Sequence, residues 1–321
     1  MFPTTLAFLP PLAFILCMAL LSWLLRSGQA HALALDQPNH RSLHTRPTPR
    51  VGGLGIMSGA LVAMAGVGEL VLALLTLGLC AVSWLDDRGG VAISKRLGLQ
   101  VVAASIWVAC FALSPWSLVA VVSVIWMTNL FNFMDGSDGL AGGMAVSGFG
   151  AYGAAAWMAG DPSLALLGTA IAAASLGFLR FNFPPARLFM GDVGSVPLGF
   201  AAGALGFQGW TQTVWPWWFP LLVFSPFIVD ATLTLLRRGL RGERVWQAHK
   251  EHYYQRLVRM GWGHRKTALA EYALMLAVLV SALVMSRLPL VAQAAGLAFW
   301  LVVYAFLAWR IDRAWRMVGA E

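Results

Sequence analysis

"SLVAVVSVIWMTNLFNFMDGSDGLAGG", residues 117–143, opens with an uncharged run and then sets Asn129, Asn132, Asp135 and Asp138 at three-residue intervals. The first part is long and apolar enough to enter a bilayer, whereas carboxylates are costly in hydrocarbon. The acidic end must therefore leave the lipid, and glycines 136 and 139 allow the chain to turn there. A membrane helix that delivers polar side chains to one face is the expected unit.

The rest of the chain repeats that unit. Of 321 residues, 59% are hydrophobic and only 11% charged, with mean hydropathy +0.71; soluble domains carry roughly a quarter charged residues. Apolar runs near 5–25, 50–66, 67–85, 98–113, 117–133, 140–159, 163–180, 193–208, 217–236, 267–285 and 290–308 predict an all-α polytopic membrane protein of about eleven spans. The count falls to ten if Gly66, Gly68 and Glu69 do not form a tight hairpin. Eleven spans put the loops at 26–50, 86–97, 134–139, 180–192 and 237–266 on one side with the tail, along with 21 of the 22 Lys and Arg; only Arg287 lies opposite. The positive-inside rule makes that side cytoplasmic, with the N-terminus periplasmic and the C-terminus cytoplasmic.

The first span lacks a basic n-region and a small-residue cleavage site, so it is expected to be retained, kinked by Pro10 and Pro11. Cys17, Cys80 and Cys110 lie singly in apolar runs, without the spacing of a metal or redox site. The formal charge of +8 is met by arginines at anionic head groups, and no nucleic-acid module is present. No internal repeat is visible, so residues 1–321 read as one integral domain.

The acids gather at the cytoplasmic helix ends: Asp86 and Asp87 in "WLDDRGG", Asp135 and Asp138, and Asp192 in "FNFPPARLFMGDVGS". One acid alone reads equally well as a cap or a salt-bridge partner, but five at three helix ends need a cation. Mg²⁺ is the expected ion, with Mn²⁺ as the alternative, because one or two carboxylates and phosphate oxygens suffice for it. Zinc fits poorly, since His249 and His252 have no cysteine nearby. Asn129, Asn132 and Asp135 share a helix flank, and Asp138 either projects from the turn or caps the next helix. Asparagines suit recognition of a base or a sugar amide. Pro184 and Pro185 end the preceding span, and a helix beginning near Ser195 would point its amides at an anion. Phe189 reads either as a platform for a flat ring or as interfacial filler.

Residues 237–266 hold nine Lys or Arg and two Glu. They read as an anchor to anionic lipid, or as a grip on a diphosphate by Arg237, Arg238, Arg241 and Arg244 with His249, His252, Tyr253 and Tyr254. The same choice applies to His40, Arg41, His44, Arg46 and Arg50 in the first loop.

Taken in order, "RPTPRVGGLGI", "LDDR", "NLFNFMDGSDGLAGG", "FNFPPARLFMGDVGS" and "HKEHYYQRL" resemble the polyprenyl-phosphate N-acetylhexosamine-1-phosphate transferases, which include phospho-N-acetylmuramoyl-pentapeptide transferase. The resemblance implies a bacterial inner-membrane enzyme with a cytosolic site, moving a sugar 1-phosphate from a UDP-sugar to undecaprenyl phosphate and releasing UMP. It implies Asp192 as principal Mg²⁺ ligand with Asp135 beside it, and Asp86 and Asp87 as the paired catalytic aspartates. Asn129, Asn132, Asp138 and Asn182 would belong to the substrate pocket, Phe189 would pack on uracil, and Arg96 or adjacent Lys95 would be the basic residue beyond "LDDR". His249, His252 and Arg46 complete the expected substrate-binding set. A phosphate monoester is mostly dianionic at neutral pH, with a second pKa near ~6, which favours Asp86 as a positioner over an obligatory base.

The pentapeptide transferases carry consecutive histidines where this chain has "HKEHYYQRL". That departure resembles the branch that initiates O-antigen and related surface glycans, with GlcNAc or a 6-deoxy relative such as FucNAc or QuiNAc as donor sugar. The resemblance also leaves a homodimer open. The alternative from another class is an ion-coupled transporter with Asp230 as its coupling site, although transporter sites typically lie at the midplane between repeats. A non-catalytic scaffold would give the clustered aspartates no purpose.

Overall fold

The computed structural model describes residues 6–38, 43–44, 46–111, 113–245, 247 and 249–318. Its elements are α1 (Leu9–Arg26), α2 (Gln29–Leu33), β1 (Leu35–Asp36), β2 (Thr48–Pro49), α3 (Gly52–Gly66), α4 (Leu70–Gly89), α5 (Ile93–Phe111), α6 (Ser117–Phe133) and α7 (Leu140–Ala159). There follow α8 (Pro162–Asn182), α9 (Asp192–Thr211), α10 (Trp218–Val223), α11 (Ser225–Leu240), α12 (Tyr253–Leu257), a π-helical turn (Val258–Trp262), α13 (Gly263–Met285) and α14 (Leu290–Val318).

Helix occupies each expected apolar stretch, but among the described residues six helices are both long and apolar enough to cross a membrane by length and composition. They are α1, α4, α5, α8, the continuous Tyr253–Met285 run and α14. Helices α3 and α6 are apolar but shorter, at 15 and 17 residues. Helices α7 and α9 are rich in glycine and alanine and lie largely inside the protein, so they need less apolar side-chain surface.

Several expectations are corrected. Strands β1 and β2 pair antiparallel, Leu35 with Pro49 and Asp36 with Thr48, so the first loop contains a small strand pair in an otherwise helical protein. Pro10 and Pro11 fall in the first turn of α1, where missing N–H groups cost nothing, not inside the span. The 217–236 stretch is two helices that meet at Phe224, with Pro226 opening the second. Gly68, at φ +88°, and Glu69 do turn the chain between α3 and α4.

Helix α9 lies at the centre, packed against α3, α4, α6 and α7, while α7 runs along α8 and α8 along α1. Small residues set these distances. A Cβ on Gly53 would lie 2.3 Å from the Gly194 nitrogen, so the starts of α3 and α9 meet backbone to backbone. The same end of α3 is stitched to the loop before α9, with Gly52 N–H donating to the Phe189 carbonyl (2.9 Å) and Gly53 N–H to that of Met190 (2.8 Å). The last turns of α4, α6 and α8 and the first turns of α3, α5, α7 and α9 thus converge at one end of the bundle.

Candidate active site

At that end lies a cavity of about 560 Å³, into which six carboxylates face (Asp36, Asp86, Asp87, Asp135, Asp138 and Asp192) against two arginines, Arg50 and Arg96. Helix ends, the 134–139 loop and strand β1, from distant parts of the sequence, supply them. The last turn of α4 carries Asp86, whose Oδ1 accepts from Val91 N–H (2.5 Å) and whose Oδ2 takes Arg96 from the first turn of α5. Arg96 Nη1 also donates to Asp192 Oδ2 at 3.0 Å, so one guanidinium nitrogen bridges α4 and α9. On the other side of Asp192, Asn132 from the end of α6 donates to Oδ1 (2.8 Å) and to Ser195 Oγ (2.9 Å).

Asp87 does different work. Its two oxygens accept from the N–H groups of Asp192 (3.3 Å) and Val193 (3.1 Å), capping α9 from another helix, with Arg50 Nη1 3.9 Å away. Its side chain is only 2% exposed, against 24% for Asp192, so Asp192 faces the cavity and Asp87 holds the helix that carries it. This corrects the expectation of ligand-binding amides near Ser195: α9 begins at Asp192 and its leading amides belong to Asp87. Asp87→Asn leaves one oxygen for two buried N–H donors and is expected to cost about 1–3 kcal/mol of stability. A melting temperature in detergent equal to that of the unaltered protein would refute this capping role.

The loop 134–139 between α6 and α7 carries Asp135 and Asp138. Burial, and then the nearby Asp192 and Asp87, hold the Asp135 carboxyl well above the usual carboxylate range. Asp138 Oδ2 accepts from Ala186 N–H (2.9 Å), its Oδ1 lies 3.7 Å from His264 Nδ1, and it does not cap α7. Asn182 lines the cavity but spends both ends on the framework, accepting from Gly139 N–H (2.8 Å) and donating to the Leu188 carbonyl (3.0 Å). Phe189 lines the wall with His44 edge-on, ring centres 4.9 Å apart.

Other expected site residues lie elsewhere. Asn129 is not among the cavity-lining residues and donates to Gln100 Oε1 (2.7 Å) and the Ile125 carbonyl (2.8 Å). Lys95 is exposed on α5 while Arg96 turns inward, and Arg46 is exposed while Arg50 lines the cavity. His252 is buried on Asp230, with Nδ1 3.1 Å from Oδ1, and His249 packs on it at 4.7 Å. Burial, then His252 and Arg238, push His249 down to about 4, so it is no cation for a diphosphate at neutral pH. His40 and Arg41 lie outside the described residues.

Gln255 and His264 take the histidines' place on the cavity wall. Sequence reasoning passed over both, since His264 stands beside Arg265 and Lys266 in what reads as a lipid anchor.

Among the described residues no group of three His, Cys, Asp or Glu is arranged to hold a metal. Mg²⁺ asks for less, one or two carboxylates completed by phosphate oxygens. The excess of carboxylates over arginines, and the burial of Asp135 beside Asp192, suit such an ion.

A profile of glycosyl transferase family 4 matches residues 69–209. Over that stretch the chain is similar to glycosyl transferase family 4. The matched stretch includes Asp86, Asp87, Arg96, Asn132, Asp135, Asp138, Asn182, Phe189 and Asp192, whereas Arg50, Gln255 and His264 lie outside it. Among individual relatives, a probable undecaprenyl-phosphate N-acetylglucosaminyl 1-phosphate transferase of Bacillus subtilis is 29% identical over 78% of this chain and 77% of its own. An undecaprenyl-phosphate alpha-N-acetylglucosaminyl 1-phosphate transferase of Yersinia pestis is 27% identical over 88% and 85%. A phospho-N-acetylmuramoyl-pentapeptide-transferase of Shouchella clausii is 29% identical over 67% and 76%. Among these relatives the transporter alternative finds no support, and Asp230 is engaged by His252 and two backbone N–H groups.

Proposed function

We propose that this protein transfers N-acetylhexosamine 1-phosphate from a UDP-sugar to undecaprenyl phosphate, giving undecaprenyl-diphosphate-sugar and UMP. The observation that carries this reading is Arg96 held between Asp86 and Asp192 in an acid-rich cavity at the helix ends. Relatives named for the same class of reaction, including the two N-acetylglucosaminyl 1-phosphate transferases, support it.

In the proposed reaction an oxygen of the lipid phosphate forms a bond to the sugar-linked phosphorus. The bond from that phosphorus to the bridging oxygen breaks, and UMP leaves with the electron pair. Converging negative charge is the barrier, and positioned cations lower it. Asp192 and Asp135 would hold Mg²⁺, which screens the diphosphate when bound. Arg96 supplies fixed positive charge at the cavity wall. Asp86 has one oxygen on Val91 N–H and the other on Arg96, which suits a positioner of Arg96 better than a proton acceptor. Asn132 orients Asp192, and Phe189 offers its ring to uracil.

The basic loops support a cytosolic site in the bacterial inner membrane and eleven crossings, and the resemblance adds a homodimer. For the donor, the lack of consecutive histidines at 249–257 favours the surface-glycan branch, with GlcNAc, FucNAc or QuiNAc as the sugar. A panel of UDP-sugars, incubated with membranes containing the protein, undecaprenyl phosphate and Mg²⁺, tests reaction and donor together. Lipid-linked product and UMP are expected from at least one UDP-N-acetylhexosamine, and none when Mg²⁺ or lipid phosphate is withheld. Absence of product from every donor would end this reading.

A further inference from the structure

Asp230 is 6% exposed within α11, and the proposed chemistry gives it no task. Its carboxylate is nevertheless heavily used. Oδ1 accepts from Tyr253 N–H (2.9 Å) and Thr234 Oγ1 (3.2 Å) and lies 3.1 Å from His252 Nδ1, while Oδ2 accepts from Tyr254 N–H (3.0 Å). Tyr253 and Tyr254 open α12, so Asp230 caps that helix from a neighbouring one. Five residues are too few to hold a helix by themselves, so α12 depends on such tethers.

What α12 carries explains why the tether matters. Gln255 lines the cavity, and its carboxamide is held at that wall by the His252 N–H, which donates to Oε1 (3.2 Å), and by a side-chain hydrogen bond with Tyr254. Tyr254 donates its hydroxyl to the Phe133 carbonyl (3.3 Å), and a Cβ on Gly136 would lie 2.2 Å from that hydroxyl oxygen. The chain of contacts runs from Asp230 through α12 to Gln255 and to the loop that holds Asp135.

We propose that Asp230 is a positioning residue for the donor side of this pocket: by fixing α12 it presents the Gln255 carboxamide, and the loop braced by Tyr254, to the sugar nucleotide. The proposal rests on the transferase reading above. A carboxylate is required at 230 because the two backbone N–H groups bind different oxygens. Asparagine offers one acceptor and would set an NH₂ against an N–H donor. The body of α12 keeps a second attachment, Arg256 Nη1 to Asp312 Oδ1 of α14 at 2.9 Å, so loss of the cap loosens the helix start without detaching it.

The test uses the purified full chain in detergent. Asp230→Asn is expected to speed hydrogen exchange at residues 252–257 and to raise KM for the UDP-sugar about tenfold, with kcat within about threefold; tenfold corresponds to about 1.4 kcal/mol, the size of one buried hydrogen bond. Gln255→Ala is expected to raise KM similarly, and the double variant should fall well short of the product of the two effects, since the Gln255 contact is shared by both changes. Additive effects in the double variant, or a fall in kcat with KM unchanged, would overturn the proposal. Should Asp230→Asn not fold, Gln255→Ala still decides the pocket end, where an unaltered KM overturns it. Failure of the unaltered protein to use any UDP-sugar is a different result. It removes the transferase reading and the substrate half of this one, while hydrogen exchange still reports whether Asp230 holds α12.

Discussion

Replacing Arg96 with glutamine is expected to lower sugar-phosphate transfer about 10²- to 10³-fold, the usual loss when a preorganised group facing developing charge is removed. Arg96 is the guanidinium bound to both Asp86 and Asp192, and it comes from a helix otherwise spent on packing. Without it two carboxylates from different helices face each other with no cation between them, so the cavity loses both a positive charge and the tie between α4 and α9. Lysine would restore the charge but not the planar fork, and Arg96→Lys should recover only part of the activity. UMP release at saturating donor measures it. Activity of Arg96→Gln within threefold of the unaltered protein would contradict the role assigned to the bridge.

Asp192→Asn should be at least as damaging, with a loss of about 10³-fold and with Mg²⁺ no longer restoring activity across the range that saturates the unaltered protein. Asp192 is the acid that both Arg96 and Asn132 hold in place, and it is more exposed to the cavity than Asp87. The substitution keeps the size of the side chain and the backbone N–H that binds Asp87, so the start of α9 should survive. A loss of activity therefore reads as a loss of charge, not of fold. Mg²⁺ titration of product formation in both proteins checks this, and an unchanged Mg²⁺ response in Asp192→Asn would take the ion away from Asp192.

Much of this site was legible in the residues. An acid at the end of an apolar run cannot stay in lipid, so Asp86, Asp87, Asp135, Asp138 and Asp192 had to emerge at helix ends, and the distribution of Lys and Arg put those ends together. Resemblance then assigned roles, and Asn132, Asn182 and Phe189 do stand at the cavity. Between near neighbours the sequence left a choice that the fold makes. Arg96 faces inward and Lys95 outward, because successive helix residues point about 100° apart and only packing decides which of them meets Asp86. Arg50 replaces Arg46 for a similar reason: β2 pairs with β1 and directs the later arginine to Asp36.

Histidines 249 and 252 show the limit most clearly. Their position in a basic loop suggested a phosphate grip, yet His252 is buried on Asp230, an acid from a different helix. Gln255, three residues further along, reaches the cavity instead, joined by His264 from the start of α13.

By itself the sequence determined a helical membrane protein whose acids gather at helix ends, because the cost of charge in hydrocarbon acts on each segment separately. Only the tertiary structure decided that Asp87 caps α9 while Asp192 faces the cavity, that Asp230 serves α12, and that Gln255 and His264 stand where histidines 249 and 252 were expected. Those outcomes depend on donors and acceptors brought together from remote positions in the chain, and a buried hydrogen bond has no local signature.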